Sequence, residues 1–264
     1  MRKLTFLGTG RGLPIASSCT SILLEDEKTS LLIDAGGGHD IIVQFNKAKR
    51  KPTEVKNVFI SHYDSDHILG FIPLVRAFHT QMSPPKEKIR VFCSKEVKAA
   101  IDSMFEFVAK EYFQPVSKFL EFIIIQDEMG QRLGDWKLEF FDVRSDQSPQ
   151  MGFAVTFSDG KKLSFCGDEP LREANIALVQ KSDVLIHNAF CLDSEESQFK
   201  AHEKNHSTVK DAVETGQRIG AKSMVLFHME DKTLPTRKER YLKEARQYFK
   251  GKIVVPVDLD AFEF

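Results

Sequence analysis

The chain has 264 residues, 42% of them hydrophobic and 28% charged, enough to bury a full core within one large α/β domain spanning residues 1–264. Its 37 Lys and Arg balance 38 Asp and Glu to a net charge of -1, which gives no global attraction to nucleic acid and leaves local basic patches undecided. The four cysteines, Cys19, Cys93, Cys166 and Cys191, are scattered without CxxC spacing; neither a zinc knuckle nor a disulfide framework is suggested, and a reducing, cytoplasmic setting fits best.

Residues 4–7 read as a first strand, too short for a signal h-region, closed by the turn-rich loop Gly8-Thr9-Gly10-Arg11-Gly12. GxGxG lacks the third glycine of a dinucleotide fingerprint, and a strand at 20–24 follows instead of a helix, so the loop reads as a tight turn. A buried strand at 30–33 runs into Asp34-Ala35-Gly36-Gly37-Gly38. A helix at 41–49 with Ile41, Ile42 and Phe45 on one face leads to a strand at 58–60 and a helix at 68–80, with Pro73 in its first turns. A loop with Pro84-Pro85 precedes a strand at 89–93, and Ser94 caps a helix at 95–112 in which Phe105 and Phe107 read as packing residues. The aromatic set Phe105, Phe107, Tyr112, Phe113 and Phe119 fits a core better than a cleft. Strands follow at 122–126 and 136–143, joined through turn signals at Gly130 and Gly134, then at 152–157 and 162–166 around the hairpin turn Ser158-Asp159-Gly160. A helix at 209–219 ending at Gly220, a strand at 224–227, a charged helix at 236–249 and a strand at 253–257 complete the chain. The residues show no internal repeat, linker or membrane-length apolar run.

The stretch VFISHYDSDHILG, residues 58–70, places His62, Asp64, Asp66 and His67 at a strand end. Two imidazoles and two carboxylates this close repel one another unless a cation gathers them, and His with Asp is a donor set of metal hydrolases. A solvated, helix-capping acidic loop is the alternative. Asp168, in the Gly167-Asp168 turn after an apolar strand, is a third carboxylate whose burial would be costly without a partner.

HxDxDH resembles the HxHxDH motif of the metallo-β-lactamase superfamily, with Asp64 where the family has its second His. FLGTG and LLIDAGGG resemble the opening of its tRNase Z branch. The resemblance implies an αββα sandwich, two mixed sheets face to face with helices outside, and a dinuclear metal site at one edge. It assigns His62 and Asp64 to the first metal, Asp66, His67 and His228 to the second, and Asp168 to a bridge between them. Asp34 would hold the ligand loop from behind. Asp146, six residues before Gly152, stands where the family has another first-metal His. His206, in Asn205-His206-Ser207-Thr208, resembles the branch's HST histidine, which protonates the leaving oxygen, and Asp66 would help orient the attacking hydroxide. The branch's HEA element reads His187-Asn188-Ala189 here, so the carboxylate that orients this acid is replaced by an amide. His79, His187 and His202 read as structural or surface histidines.

The resemblance implies a metal-dependent hydrolase, a phosphodiesterase that attacks with a metal-bound hydroxide. Its cofactors would be two divalent ions, manganese, iron or zinc; Asp64 and Asp146 exchange nitrogen for oxygen donors and favour the harder metals. The chain runs directly from Gly152 to Gly167 without the long tRNA-gripping arm of the branch, so a small-molecule or nucleotide phosphodiester is expected in preference to tRNA. A hydrolase of carboxylic esters, lactones or thioesters, and a metal-binding or sensing protein with little catalysis, are the competing readings. No membrane partner is expected, and the oligomeric state, homodimer included, stays open.

Overall fold

Runs of β-branched and aromatic residues bounded by glycine turns build two seven-stranded sheets, described by a computed structural model over residues 1–81 and 88–264. The loop expected around Pro84-Pro85 lies outside the described residues. By its contacts the chain divides into two compact units, one of residues 1–13, 18–125 and 258–264, the other of residues 14–17 and 126–257.

The first unit contains strands β1 (Lys3–Gly8), β2 (Ser21–Glu25), β3 (Ser30–Ile33), β4 (Asn57–Phe59), β5 (Ile89–Cys93) and β6 (Leu120–Ile124). Its helices are α1 (Asp40–Lys47), α2 (Ser65–Ile68), α3 (Phe71–Gln81), α4 (Lys95–Phe107) and α5 (Lys110–Ser117). From β1 to β3 the strands pair antiparallel; from β3 to β6 they pair parallel, each crossover carrying helices. Leu23, Leu32, Val58 and Val91 of the sheet pack with Phe45 of α1, Phe71 and Phe78 of α3, and Ile101 and Phe105 of α4. The Ser94 hydroxyl accepts the Val97 N–H at 3.2 Å and starts α4 as a cap should.

The second unit contains β7 (Gly130–Leu133), β8 (Trp136–Asp142), β9 (Met151–Thr156), β10 (Lys162–Phe165), β11 (Val184–Asn188), β12 (Ser223–Phe227) and β13 (Lys252–Val254). Its helices are α6 (Ile176–Val179), α7 (Glu196–Phe199), α8 (Val209–Arg218) and α9 (Leu234–Tyr248). Strands β7 to β10 pair antiparallel and β10 to β13 parallel. Val213 of α8 and Tyr241 of α9 join Leu185, Met224 and Leu226 in its core. The last strand, β14 (Ala261–Glu263), returns to the first unit and pairs antiparallel with β1.

Four local expectations are corrected. The helix expected at 68–80 is broken into α2 and α3, because Gly70 runs against the loop after β3: a Cβ there would lie 1.9 Å from the Ala35 carbonyl oxygen, and Gly70 N–H donates to Gly36 O at 3.0 Å. The helix expected at 95–112 ends at Phe107, and Ala109 turns the chain with a left-handed φ of 62° before α5. Phe107 is not a packing residue; it is 83% exposed, lying two positions, about 200° of helix rotation, past Phe105 on the buried face. Residues 130–133, read as part of a turn, form β7, and β14 was not expected. Among the described residues no helix is long and apolar enough to cross a membrane.

Candidate metal centre

In both sheets the polar residues of interest stand at the carboxyl ends of parallel strands, where open α/β sheets place their ligands. In the first unit, Asp34 follows β3 directly, fully buried and in the left-handed region at φ 57°. Its Oδ1 accepts the Ser61 N–H at 2.7 Å, and its Oδ2 accepts the Ser61 hydroxyl and the His67 Nδ1–H, each at 2.8 Å. The Ser61 hydroxyl, having given its proton to Asp34, accepts from His62 Nδ1 at 2.9 Å. One carboxylate thereby fixes both imidazoles with the proton on Nδ1, leaving each Nε2 as the donor nitrogen, the arrangement a metal ligand needs. The two rings lie 4.1 Å apart between centroids, and His67 Nε2 is 3.4 Å from Asp66 Oδ2, which also accepts the Gly12 N–H at 2.7 Å. Asp64 occupies the N-cap position of α2 but its side chain caps nothing; it is about half exposed, 3.8 Å from His62 Nε2. A pure capping role for this acidic loop is therefore not what the loop performs.

In the second unit, Asp168 follows β10 through Gly167, and His228 follows β12 directly. Asp168, His206 and His228 bring three donor atoms within 4.8 Å of one another. His228 Nε2 is 3.4 Å from Asp168 Oδ2. Gln150, almost fully buried, accepts the Asp168 N–H at 3.1 Å through Oε1 and donates Nε2–H to Asp168 Oδ1. Gly167 is required here: at φ 73° it avoids strain, and a Cβ would sit 2.3 Å from Gln150 Oε1. His206 donates Nδ1–H to the Asp168 carbonyl at 2.7 Å, the same carbonyl that accepts the Asn188 amide, while Phe190 stacks on its ring at 4.8 Å. Asn188 is held in turn by the Ser207 N–H at 3.2 Å. Proton-bearing Nδ1 again leaves Nε2 outward, and Asn188 supplies orientation but no negative charge.

Asp146 lies in the loop after β8 with its side chain 74% exposed, paired to Arg172 at 2.8 Å. It is not in the cluster of Asp168, His206 and His228. Arg172 also lies 3.7 Å from Glu169, whose other oxygen accepts the Ser145 hydroxyl; burial pushes the Glu169 carboxyl up. His187 is buried, and that burial pushes its imidazole below the ordinary range, so it stays neutral within β11. His202 is exposed and bonded to Asp211 at 2.7 Å. All four cysteines are free; burial pushes their thiols up, Cys19 and Cys93 to about 12, and none offers a thiolate at neutral pH. Ser61, Gln150 and Arg172 were missed from sequence. Ser61 had a signal, a hydroxyl between the strand and the first His; a lone Gln or Arg in a loop has none.

The donor chemistry fits divalent metal ions: imidazoles with Nδ1 engaged and Nε2 outward, and carboxylates oriented by N–H donors. Such a set at the ends of parallel strands is a candidate divalent-metal site. The chain belongs to the β-lactamase superfamily, whose domain model matches residues 29–229, and it has the αββα fold of the metallo-β-lactamases. It is 25% identical to ribonuclease Z of Bacillus velezensis over 86% of this chain and 87% of that one. Among solved structures it is similar to the metallo-β-lactamase fold protein YhfI of Bacillus subtilis, with a TM-score of 0.78 and 18% identity over 99% and 98% of the two chains. The short form of human tRNase Z matches as well, with a TM-score of 0.78 and 21% identity over 99% and 98%. Within that superfamily the chain resembles the tRNase Z-like branch.

One expectation follows at this level. Asp34→Ala removes the acceptor for Ser61 and His67 together, so metal affinity is expected to fall about 10–100-fold with metal still bound at saturation. A metal titration of the stripped variant reads it directly.

Proposed function

We propose that the chain, acting as a single domain, is a phosphodiesterase of small or nucleotide phosphodiesters that uses two divalent metal ions held by His62, Asp64, Asp66, His67, Asp146, Asp168 and His228. The observation that carries this reading is the ordering of the histidines. Asp34 and Ser61 orient both motif imidazoles with Nε2 outward, which a merely solvated loop would not require. When bound, two divalent ions bring the pKa of a water near neutrality and neutralise charge building on phosphate oxygens.

The chain's own residues do the rest. Asp66, held by the Gly12 N–H, orients the nucleophile. His206 protonates the departing oxygen from Nε2, which requires the imidazolium because Nδ1 already carries the proton given to the Asp168 carbonyl. Asn188 cannot stabilise that imidazolium by charge, so less of the proton-bearing form is available and activated leaving groups are preferred. Strands β9 and β10 are joined by a tight hairpin, Thr156 pairing with Lys162, which supports a compact substrate over tRNA.

The metals can be identified by add-back. With Asp64 and Asp146 as oxygen donors, the stripped protein is expected to regain bis-p-nitrophenyl phosphate hydrolysis with manganese or iron more fully than with zinc. Asp64→His should shift the preference toward zinc. Tight zinc in both positions of the unmodified protein with full activity would contradict this assignment.

A further inference from the structure

The loop after β1 is closed at its neck by one residue from the other end of the chain. Asp258, partly buried in the turn before β14, accepts the Thr9 N–H at 3.0 Å and the Thr9 hydroxyl at 2.8 Å through Oδ1. Through Oδ2 it accepts the Ser18 N–H at 2.6 Å and the Gln44 amide N–H at 3.0 Å. Each carboxylate oxygen thus takes one end of the loop. Gln44, buried on α1, also donates to the Ser18 hydroxyl at 2.6 Å. Inside this closure the Gly10 N–H donates to Ser18 O at 2.9 Å and the Thr20 hydroxyl to Gly10 O at 3.1 Å. Residue 258 is itself fixed, because the Leu259 N–H donates to Phe6 O at 2.6 Å and the Phe6 N–H to Asp260 O at 3.0 Å.

What the closed neck presents is a single peptide. Gly12, left-handed at φ 57°, gives its N–H to Asp66 Oδ2 at 2.7 Å, and its carbonyl receives the Cys19 thiol at 3.6 Å. Cys19 directly follows Ser18, so the residue that steadies the Gly12 carbonyl adjoins one that Asp258 holds. Gly37 leaves room for the thiol, since a Cβ there would lie 2.6 Å from Cys19 Sγ. With glycine at 10 and 12 the segment has many other conformations open to it, and the Gly12 N–H stays on Asp66 only while the neck is closed. An N–H donated to a carboxylate is strong and directional, so losing it frees the carboxylate to turn. We propose that Asp258 is a positioning residue for Asp66: it locks the neck of the loop, and the locked loop holds the Gly12 N–H on the Asp66 carboxylate. This rests on the reading of Asp66 as a metal ligand that orients the nucleophile, and it goes beyond that reading by giving the C-terminal segment a part in the orientation.

The test pairs a spectroscopic signal with kinetics. In the stripped full-length protein the Gly12 amide proton is followed by NMR in the unmodified chain, Asp66→Asn, Asp258→Asn and Gln44→Met. Asp258→Asn turns one acceptor oxygen into an NH2 group facing donors and opens one end of the neck; Gln44→Met removes the two amide bonds at the Ser18 end and leaves the carboxylate. The Gly12 resonance is expected downfield in the unmodified chain, shifted upfield alike in Asp66→Asn and Asp258→Asn, and partway in Gln44→Met. With manganese restored, Asp258→Asn is expected to cut kcat for bis-p-nitrophenyl phosphate about tenfold with KM changed less than about twofold, the lower edge of the about 10–100-fold carried by residues behind metal ligands. A purely structural role would lower the melting temperature and leave the Gly12 resonance of the folded molecules in place. A Gly12 resonance unmoved in both Asp258→Asn and Gln44→Met, or an unchanged kcat in Asp258→Asn, would overturn the proposal; should Asp258→Asn fail to fold, Gln44→Met decides by the same two readings. If the unmodified protein turns over no diester, the hydrolase reading falls, and the Gly12 shifts still decide the positioning.

Discussion

An Asp168→Asn protein is expected to lose both metal equivalents and, with them, all measurable phosphodiester hydrolysis. The substitution is nearly isosteric. An Asn oxygen can still accept the Gln150 N–H, and the backbone bonds of residue 168 to Gln150, Asn188 and His206 are untouched, so the fold should survive. What disappears is the anion: a neutral amide presents one carbonyl oxygen and an NH2 group in place of two anionic oxygens, and it cannot serve two cations. Metal analysis of the purified variant, with circular dichroism to establish that it is folded, checks the result. Retention of two equivalents would mean that the ligands have been misassigned.

His206→Ala should separate substrates by leaving group. With a poor leaving group such as an alkoxide, turnover is expected to fall about 10²-fold, the low end of the usual 10²–10⁴ for general acids, because Asn188 offers the imidazolium no charge. With an activated aryl phosphate, whose departing oxygen needs no proton, it should change little. Equal losses on both substrates would remove His206 from this role and leave it as a member of the donor cluster with Asp168 and His228.

The contrast between what could be read from the residues and what could not has a physical basis. Strand ends carrying His or Asp next to glycine were readable because apolar runs and turn residues are local signals, and β3, β5 and β12 fall within a residue of their expected bounds. The place of Asp34 at a strand end was legible for the same reason, whereas its role came only from the family resemblance. Helix breaks were not, because Gly70 is forced by a carbonyl more than thirty residues away in sequence, at Ala35, and the periodicity continues unbroken across it. The loop after β1 looked like a free-standing tight turn, yet Thr9, Ser18 and Gln44 all donate to Asp258 from the far end of the chain. No repeat shows in the residues, but the two sheets share one pattern, three antiparallel pairings followed by three parallel ones. Topology is kept by burial and hydrogen bonding, which many sequences satisfy. The engagements of Gln150 and Arg172 were beyond sequence altogether, since each depends on where a loop side chain turns.

The most direct measurement on the central claim is hydrolysis by the metal-loaded full-length protein of a paired panel, bis-p-nitrophenyl phosphate against p-nitrophenyl acetate and a simple lactone, before and after chelation. Diester turnover is expected to be abolished by the chelator and restored by manganese, with the carboxylic substrates far slower. Chelator-sensitive turnover of the esters or lactone without the diester, or bound metal with no turnover of any of them, would contradict it.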